Sequence, residues 1–221
     1  MITVHHLENS RSQRVLWLLE ELGIAYGVKR YDRDPVTNLG PPALYEVHPL
    51  GKSPVITDGD ITVAETGAIF EYLVGTYDKD DRLKPAEGTG AGRDYTYWLH
   101  YAEGSAMTYL LLKLVFMRMP ENAPLLAKPL VKGLSSKVQD SFVDPRIAEH
   151  AEWWEQSLSK TGHFVGDSLS AADIMMSFPL EAAATRADFS NKPNIKAFLA
   201  MCHARAAYKT ALEKGGPYAY A

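Results

Sequence analysis

The chain has 221 residues, 46% hydrophobic and 23% charged, which suits one or two globular domains with sizeable cores. Its formal net charge of −4 offers no electrostatic footprint for nucleic acid or an anionic membrane. The single cysteine, Cys202, excludes an internal disulfide framework, a CxxC redox pair and a thiolate zinc site, and no two histidines have metal-ligand spacing, so no metal is expected.

The start, MITVHHLENSRSQ, lacks the charged lead and apolar core of a secretory signal. The most apolar run, Met107 to Met117, is interrupted by Lys113 and falls well short of the roughly 20 residues a membrane span requires. A soluble, cytoplasmic protein is expected. ITVHHL (Ile2 to Leu7) reads as a strand. Val15, Leu16, Leu18, Leu19 and Leu22 then match the spacing of one helix face, and Gly23 stops that helix. YGVKRYD (Tyr26 to Asp32) reads as a second strand, and PPALYEVHP (Pro41 to Pro49) allows only a short helix. PVITDGDITVAE pairs two β-branched runs around Asp58-Gly59, a hairpin signal, and a helix from about Glu65 to Tyr77 follows. The order βαβ then αββα predicts a parallel pair with a right-handed crossover, extended by antiparallel strands in the same sheet: a thioredoxin-like βαβαββα domain.

Asp78 to Arg93 is charged, then rich in glycine and proline, and reads as a linker. Its GTGAG is no phosphate loop, because no strand precedes it and the third glycine position is Arg93. Beyond residue 90 the pattern is helical, at about 90–118, 123–142, 145–160, 170–185 and 192–213. SAAD (Ser170 to Asp173) resembles a capping box with Asp173 in place of the usual Glu or Gln. The expected architecture is therefore α/β plus all-α: a small domain over 1–80, a linker over 81–92 and an all-helical domain over 93–221.

Four stretches carry a family resemblance: SRSQRVLWLLEELG (from Ser10), HPLGKSPVI (from His48), AETGAIFEYL (from Ala64) and GDSLSAADIMMSFPL (from Gly166). In this order, over this domain pattern, the chain resembles the cytosolic glutathione transferases, in the bacterial and fungal branch related to the first yeast enzyme. The resemblance implies glutathione as co-substrate, activated as thiolate for conjugation to small hydrophobic electrophiles in a detoxification role. It also implies a homodimer, with neither nucleic acid nor membrane as partner. Two alternatives remain: glutathione-dependent peroxide or disulfide reduction, and a non-catalytic binding protein of the same fold.

The resemblance also assigns residues. Ser53, before a cis Pro54, would pair its backbone with the cysteinyl unit of glutathione, and Lys52 would lie near the glycine carboxylate. Glu65 would pair with the γ-glutamyl amine and Thr66 with its carboxylate, at a helix N-terminus that favours anions. A purely structural reading makes Pro54 a turn residue and Glu65 or Thr66 a cap. The thiol would arrive beside Asn9 to Ser12. The family uses Tyr, Ser or Cys there; no Tyr or Cys occurs between residues 1 and 25, and aligned on RVL (Arg14 to Leu16) the resemblance puts Ser10 first, where the serine-type classes place their thiolate donor. Ser12, Arg11 and Asn9 stand as alternatives, and Ser10 or Asn9 as mere N-caps is the structural reading. On the first helix after the linker, Tyr97, Tyr101 and Glu103 are expected to face the electrophile groove, with Trp98 and His100 beside them. Ser170 and Asp173 are assigned to folding, and Trp153, Trp154, His150, His163 and His203 to packing or surface.

Overall fold

The computed structural model describes residues 1–220. Strands β1 (Ile2–Leu7), β2 (Tyr26–Tyr31), β3 (Val55–Asp58) and β4 (Ile61–Ala64) form one sheet in the order β2-β1-β3-β4. β1 and β2 are parallel, Val4 opposite Val28, and the other two pairings are antiparallel. The hairpin turns in two residues, Gly59 and Asp60, with Gly59 at φ +57°. Helix α1 (Gln13–Leu22) supplies the crossover between β1 and β2. Its apolar face is fully buried, and Gly23 ends it in the left-handed conformation that glycine adopts without steric cost. Helix α2 (Thr66–Tyr77) packs on the sheet through Ile69, Phe70, Leu73 and Val74. The short helix expected before Pro49 is a single 3-10 turn, Pro42–Leu44.

The helical part departs from the sequence reading in four places. Helix α3 (Gly90–Tyr101) begins inside the glycine-rich stretch, capped by Thr89, whose Oγ1 accepts from the Gly92 amide at 3.0 Å. Gly92 suits this turn because a Cβ there would lie 2.6 Å from the Ala86 carbonyl oxygen. A π-helical turn, Ala102–Ala106, joins α3 to α4 (Met107–Arg118). A second π turn, Gln139–Val143, joins α5 (Lys128–Val138) to α6 (Asp144–Leu158), so two expected helices run as one. Pro145 does not break them, because it falls in the first turn after the wider π loop, where its missing N–H is least needed.

After α7 (Ala171–Ala184), the last expected helix is split into α8 (Pro193–Ala204) and α9 (Ala206–Gly215) by an extended Arg205. Local propensity gives no reason for that break; the reason is tertiary. The Arg205 guanidinium donates twice to the Glu21 carboxylate of α1, at 2.5 and 2.8 Å, and α9 then lies against α1.

One continuous core runs from the sheet through α1 and α7 to Trp154 and Phe198. The Ser170–Asp173 capping box forms as expected, and Asp173 Oδ1 also accepts from the Phe164 amide at 2.7 Å. No helix among the described residues is long and apolar enough to cross a membrane.

Candidate functional site

The cleft lies where the C-terminal end of β1, the β2–β3 loops and the start of α2 meet α4 and the C-terminal segment. It has a narrow branch of about 100 Å3, lined by Arg11, Lys52, Ser53, Pro54, Glu65 and Thr66. This branch meets a wider one of about 650 Å3, and Arg11, Lys52 and Ser53 line both.

In the narrow branch, the Ser53-Pro54 bond is cis. Ser53 Oγ donates to the His5 carbonyl at 2.8 Å and accepts from the Leu7 amide at 3.2 Å, which ties this loop to the edge of β1. Lys52 is exposed above it. Glu65 is exposed at φ +70°, a conformation a non-glycine residue keeps only where its surroundings impose it. Its own side chain makes no cap bond. Thr66 is buried at the first turn of α2 and lines the narrow branch.

The β1–α1 turn is organised by hydroxyls and one imidazole. Ser10 Oγ lies 2.7 Å from Ser12 Oγ and accepts from the Ser12 amide at 3.3 Å. Ser12 Oγ lies 2.8 Å from His6 Nδ1. The Nε2 side of His6 faces Gly215, and its Nδ1 side faces the Ser12 hydroxyl. Burial, helped by the Arg30 charge, pushes the His6 pKa down to about 4, so the ring is neutral near pH 7 and cannot serve as a cation there. Gly215 permits this approach: a Cβ would lie 2.5 Å from Gln13 Oε1 and 3.3 Å from His6 Nε2.

The alternatives at this turn are otherwise engaged. Ser12 occupies the N-cap position of α1 without a side-chain cap bond, and it is fully buried. Asn9 sits at φ +47° with Oδ1 accepting from the Ala219 amide at 2.8 Å. Arg11 pairs with Glu103 at 2.8 Å. Of the two hydroxyls, Ser10 alone lines the cleft.

The electrophile wall differs from expectation. Tyr101 is turned into the core, where its hydroxyl meets His150 Nδ1 and accepts from Trp154 Nε1 at 3.1 Å. Tyr97 packs on Trp98 and Tyr101 and lines neither branch, and Trp98 is buried. Glu103, carried on the π turn, points between the domains. There it holds Arg11 and the buried Arg14, whose guanidinium also donates to the Met175 carbonyl. Burial opposes ionisation of Glu103, but Arg14 and then Arg11 outweigh it and hold the carboxyl below its ordinary range. Glu103 is thus a clamp between α1 and the helical domain and not a wall of the groove.

The wall is supplied instead by Met107, Leu111 and Leu114 of α4, with Arg118 beyond them, facing Phe178, Arg186 and Tyr220. The spacing of the α4 residues, at i, i+4, i+7 and i+11, was a readable signal inside the apolar run. Phe178 and Tyr220 had none, because only the chain's return brings them here.

Comparison with known proteins places this geometry. Residues 1–75 match the family model "Glutathione S-transferase, N-terminal domain", and residues 127–214 match "Glutathione S-transferase, C-terminal domain". The chain is 35% identical to glutathione S-transferase 3 of Schizosaccharomyces pombe over 217 residues, covering 97% of this chain and 88% of that protein. It is 31% identical to glutathione S-transferase 1 of Saccharomyces cerevisiae over 224 residues, covering 97% and 95%. A solved glutathione S-transferase from Actinobacillus pleuropneumoniae superposes with a TM-score of 0.85 at 34% identity, over 100% of this chain and 95% of that one.

Proposed function

This chain belongs to the glutathione S-transferase family, and from that premise we propose that it activates glutathione as thiolate at Ser10 and conjugates it to small hydrophobic electrophiles. The observation that carries the reading is the Ser10 hydroxyl at the N-terminal end of α1, which lines the wider branch beside Arg11, Lys52 and Ser53, the residues through which that branch meets the narrow polar one. In this reading Ser53, Lys52, Glu65 and Thr66 hold the tripeptide. The structural neighbours include a Phanerochaete chrysosporium transferase with oxidised glutathione and a Lodderomyces elongisporus homologue with two glutathione molecules per subunit.

The energetics are sufficient. Lowering a free thiol from about 8.5 by about two units requires roughly 2.7 kcal/mol. One hydrogen bond to a charged acceptor supplies about 1.5–3 kcal/mol, and a helix N-terminus about 0.3–1 kcal/mol. In this reading the neutral His6 ring donates through Nδ1 to Ser12 and Ser12 donates to Ser10, which leaves the Ser10 proton for the thiolate; the ring is no base, since one that protonates only near pH 4 does not take a proton from a thiol. The thiol proton leaves to solvent, the thiolate sulfur forms the new bond to carbon, and any leaving group departs with its electron pair. Conjugation is favoured over disulfide chemistry at the chain's own thiol, because Cys202 is buried in the helical core with its pKa pushed up by burial. A homodimer, a cytoplasmic setting and a detoxification role rest on family membership alone.

The test is the ultraviolet absorbance of thiolate in bound glutathione, followed against pH. Ionisation well below the free-thiol value supports the proposal; binding with an unshifted thiol makes the protein a carrier.

A further inference from the structure

We infer that the electrophile this site is built for is acidic: an apolar body bearing a carboxylate or similar anion, received by Arg118 and Arg186. This rests on the transferase reading and refines it. The apolar face of α4, Met107–Leu111–Leu114, ends one step further along in Arg118, so the floor of the wider branch terminates in a cation. Across it, Arg186 stacks over the Tyr220 ring, 5.7 Å from its centroid, and donates to the Tyr220 hydroxyl at 3.3 Å, which holds its guanidinium at the cleft.

Arg33 closes the third side, held by the carbonyls of Glu8 at 3.2 Å and Asn38 at 2.9 Å. It stands close enough to Arg118 to feel its charge, which adds to burial in lowering the Arg33 pKa. Glu8 is the single carboxylate lining this branch among the described residues, and its Oε1 is taken by the Arg33 amide at 2.8 Å. The ion pairs of the region go to Glu103 from Arg11 and Arg14, and to Glu8 from Arg30. None among the described residues takes in Arg118 or Arg186.

The protein as a whole is acidic, at −4, so the cations gather here against the overall balance. Arginines gathered around one apolar floor repel one another and focus a positive potential. A neutral ligand leaves that repulsion in place; an anionic group between them removes it and gains charge-assisted hydrogen bonds. Lys52, at the other end of the cleft, remains for the tripeptide.

The test compares two ready-made products: glutathione S-linked to a nitrobenzoic acid, and the same conjugate as the methyl ester of its benzoate. Each is titrated calorimetrically into the full chain, wild type and the Arg118→Gln, Arg186→Gln and double variants, with glutathione itself in parallel. The wild type is expected to bind the acid at least about tenfold more tightly than the ester, the order of one charge-assisted hydrogen bond. Each substitution should shrink that ratio, the double variant should bring it near unity, and added salt should narrow it in the wild type. Equal affinities in the wild type, a ratio the double variant leaves unchanged, or glutathione binding without either conjugate would overturn the inference while the transferase reading stands. Failure of glutathione to bind overturns the transferase reading itself.

Discussion

The polar branch of the cleft takes its residues from short loops tied to the sheet, whereas the apolar branch takes them from α4, the end of α7 and the C-terminal segment, distant stretches of chain that meet only on folding. On the first side, position follows from local chemistry: a cis proline, a strained Glu65, and Ser53 bonded twice to one edge of β1. On the second, position follows from how α4 leaves the π turn and how Ala219 docks on Asn9. A tripeptide of fixed chemistry needs the first kind of wall. An acceptor subsite can differ between relatives through changes on a helix face or in a tail, with the polar branch untouched.

The comparison breaks most severely at the clamp that joins the two sides. Arg14→Met leaves Glu103 with Arg11 alone and should lower unfolding stability by about 3 kcal/mol, read by denaturant titration. An unchanged midpoint would mean that the domains do not depend on this pair.

His6 sharpens the polar side. Its folded pKa, about 4, lies below the ordinary 6.5, so the unfolded chain binds the extra proton between these values. Stability contributed by the neutral ring is complete above about pH 6.5 and is lost as pH falls toward 4, by on the order of 3 kcal/mol in all. His6→Gln, which keeps a polar amide facing Ser12, should flatten that slope in pH-dependent unfolding and retain turnover. Loss of turnover in this variant would make the ring a base after all.

Ser10→Ala should raise the bound thiol pKa and cut turnover by about a hundredfold, the equivalent of two pKa units, with little change in glutathione affinity. Unchanged turnover transfers the role to Ser12 or Arg11. A smaller effect is expected at the helix end: Glu65→Ala or Thr66→Ala should weaken glutathione binding roughly tenfold while altering saturated turnover less. Unaltered affinity in both variants removes the tripeptide from that branch. Leu111→Ala should raise KM for an apolar electrophile only several-fold, leaving KM for glutathione unchanged. A change in the glutathione term would show that the two branches are coupled.

The sequence by itself determined the sheet, the hairpin, α1 with its glycine stop, the Ser170–Asp173 box and the family, because each depends on near neighbours or on a short motif. The polar branch was legible for the same reason: KSP and AET are contiguous. Three things were decided only by the tertiary structure. Arg205 breaks a helix of good formers because Glu21, far away in the chain, takes its guanidinium. Glu103 and Tyr101 leave the groove because Arg11 and Arg14 claim one and His150 and Trp154 the other. The acceptor wall and the His6–Ser12–Ser10 chain form because the C-terminal helix and tail return to β1, with Gly215 thin enough to let α9 reach the imidazole. Local pattern records which side chains share a helix face or a turn; which partner meets that face is set by long-range packing, where a buried charge must find its counter-charge wherever the chain can supply it.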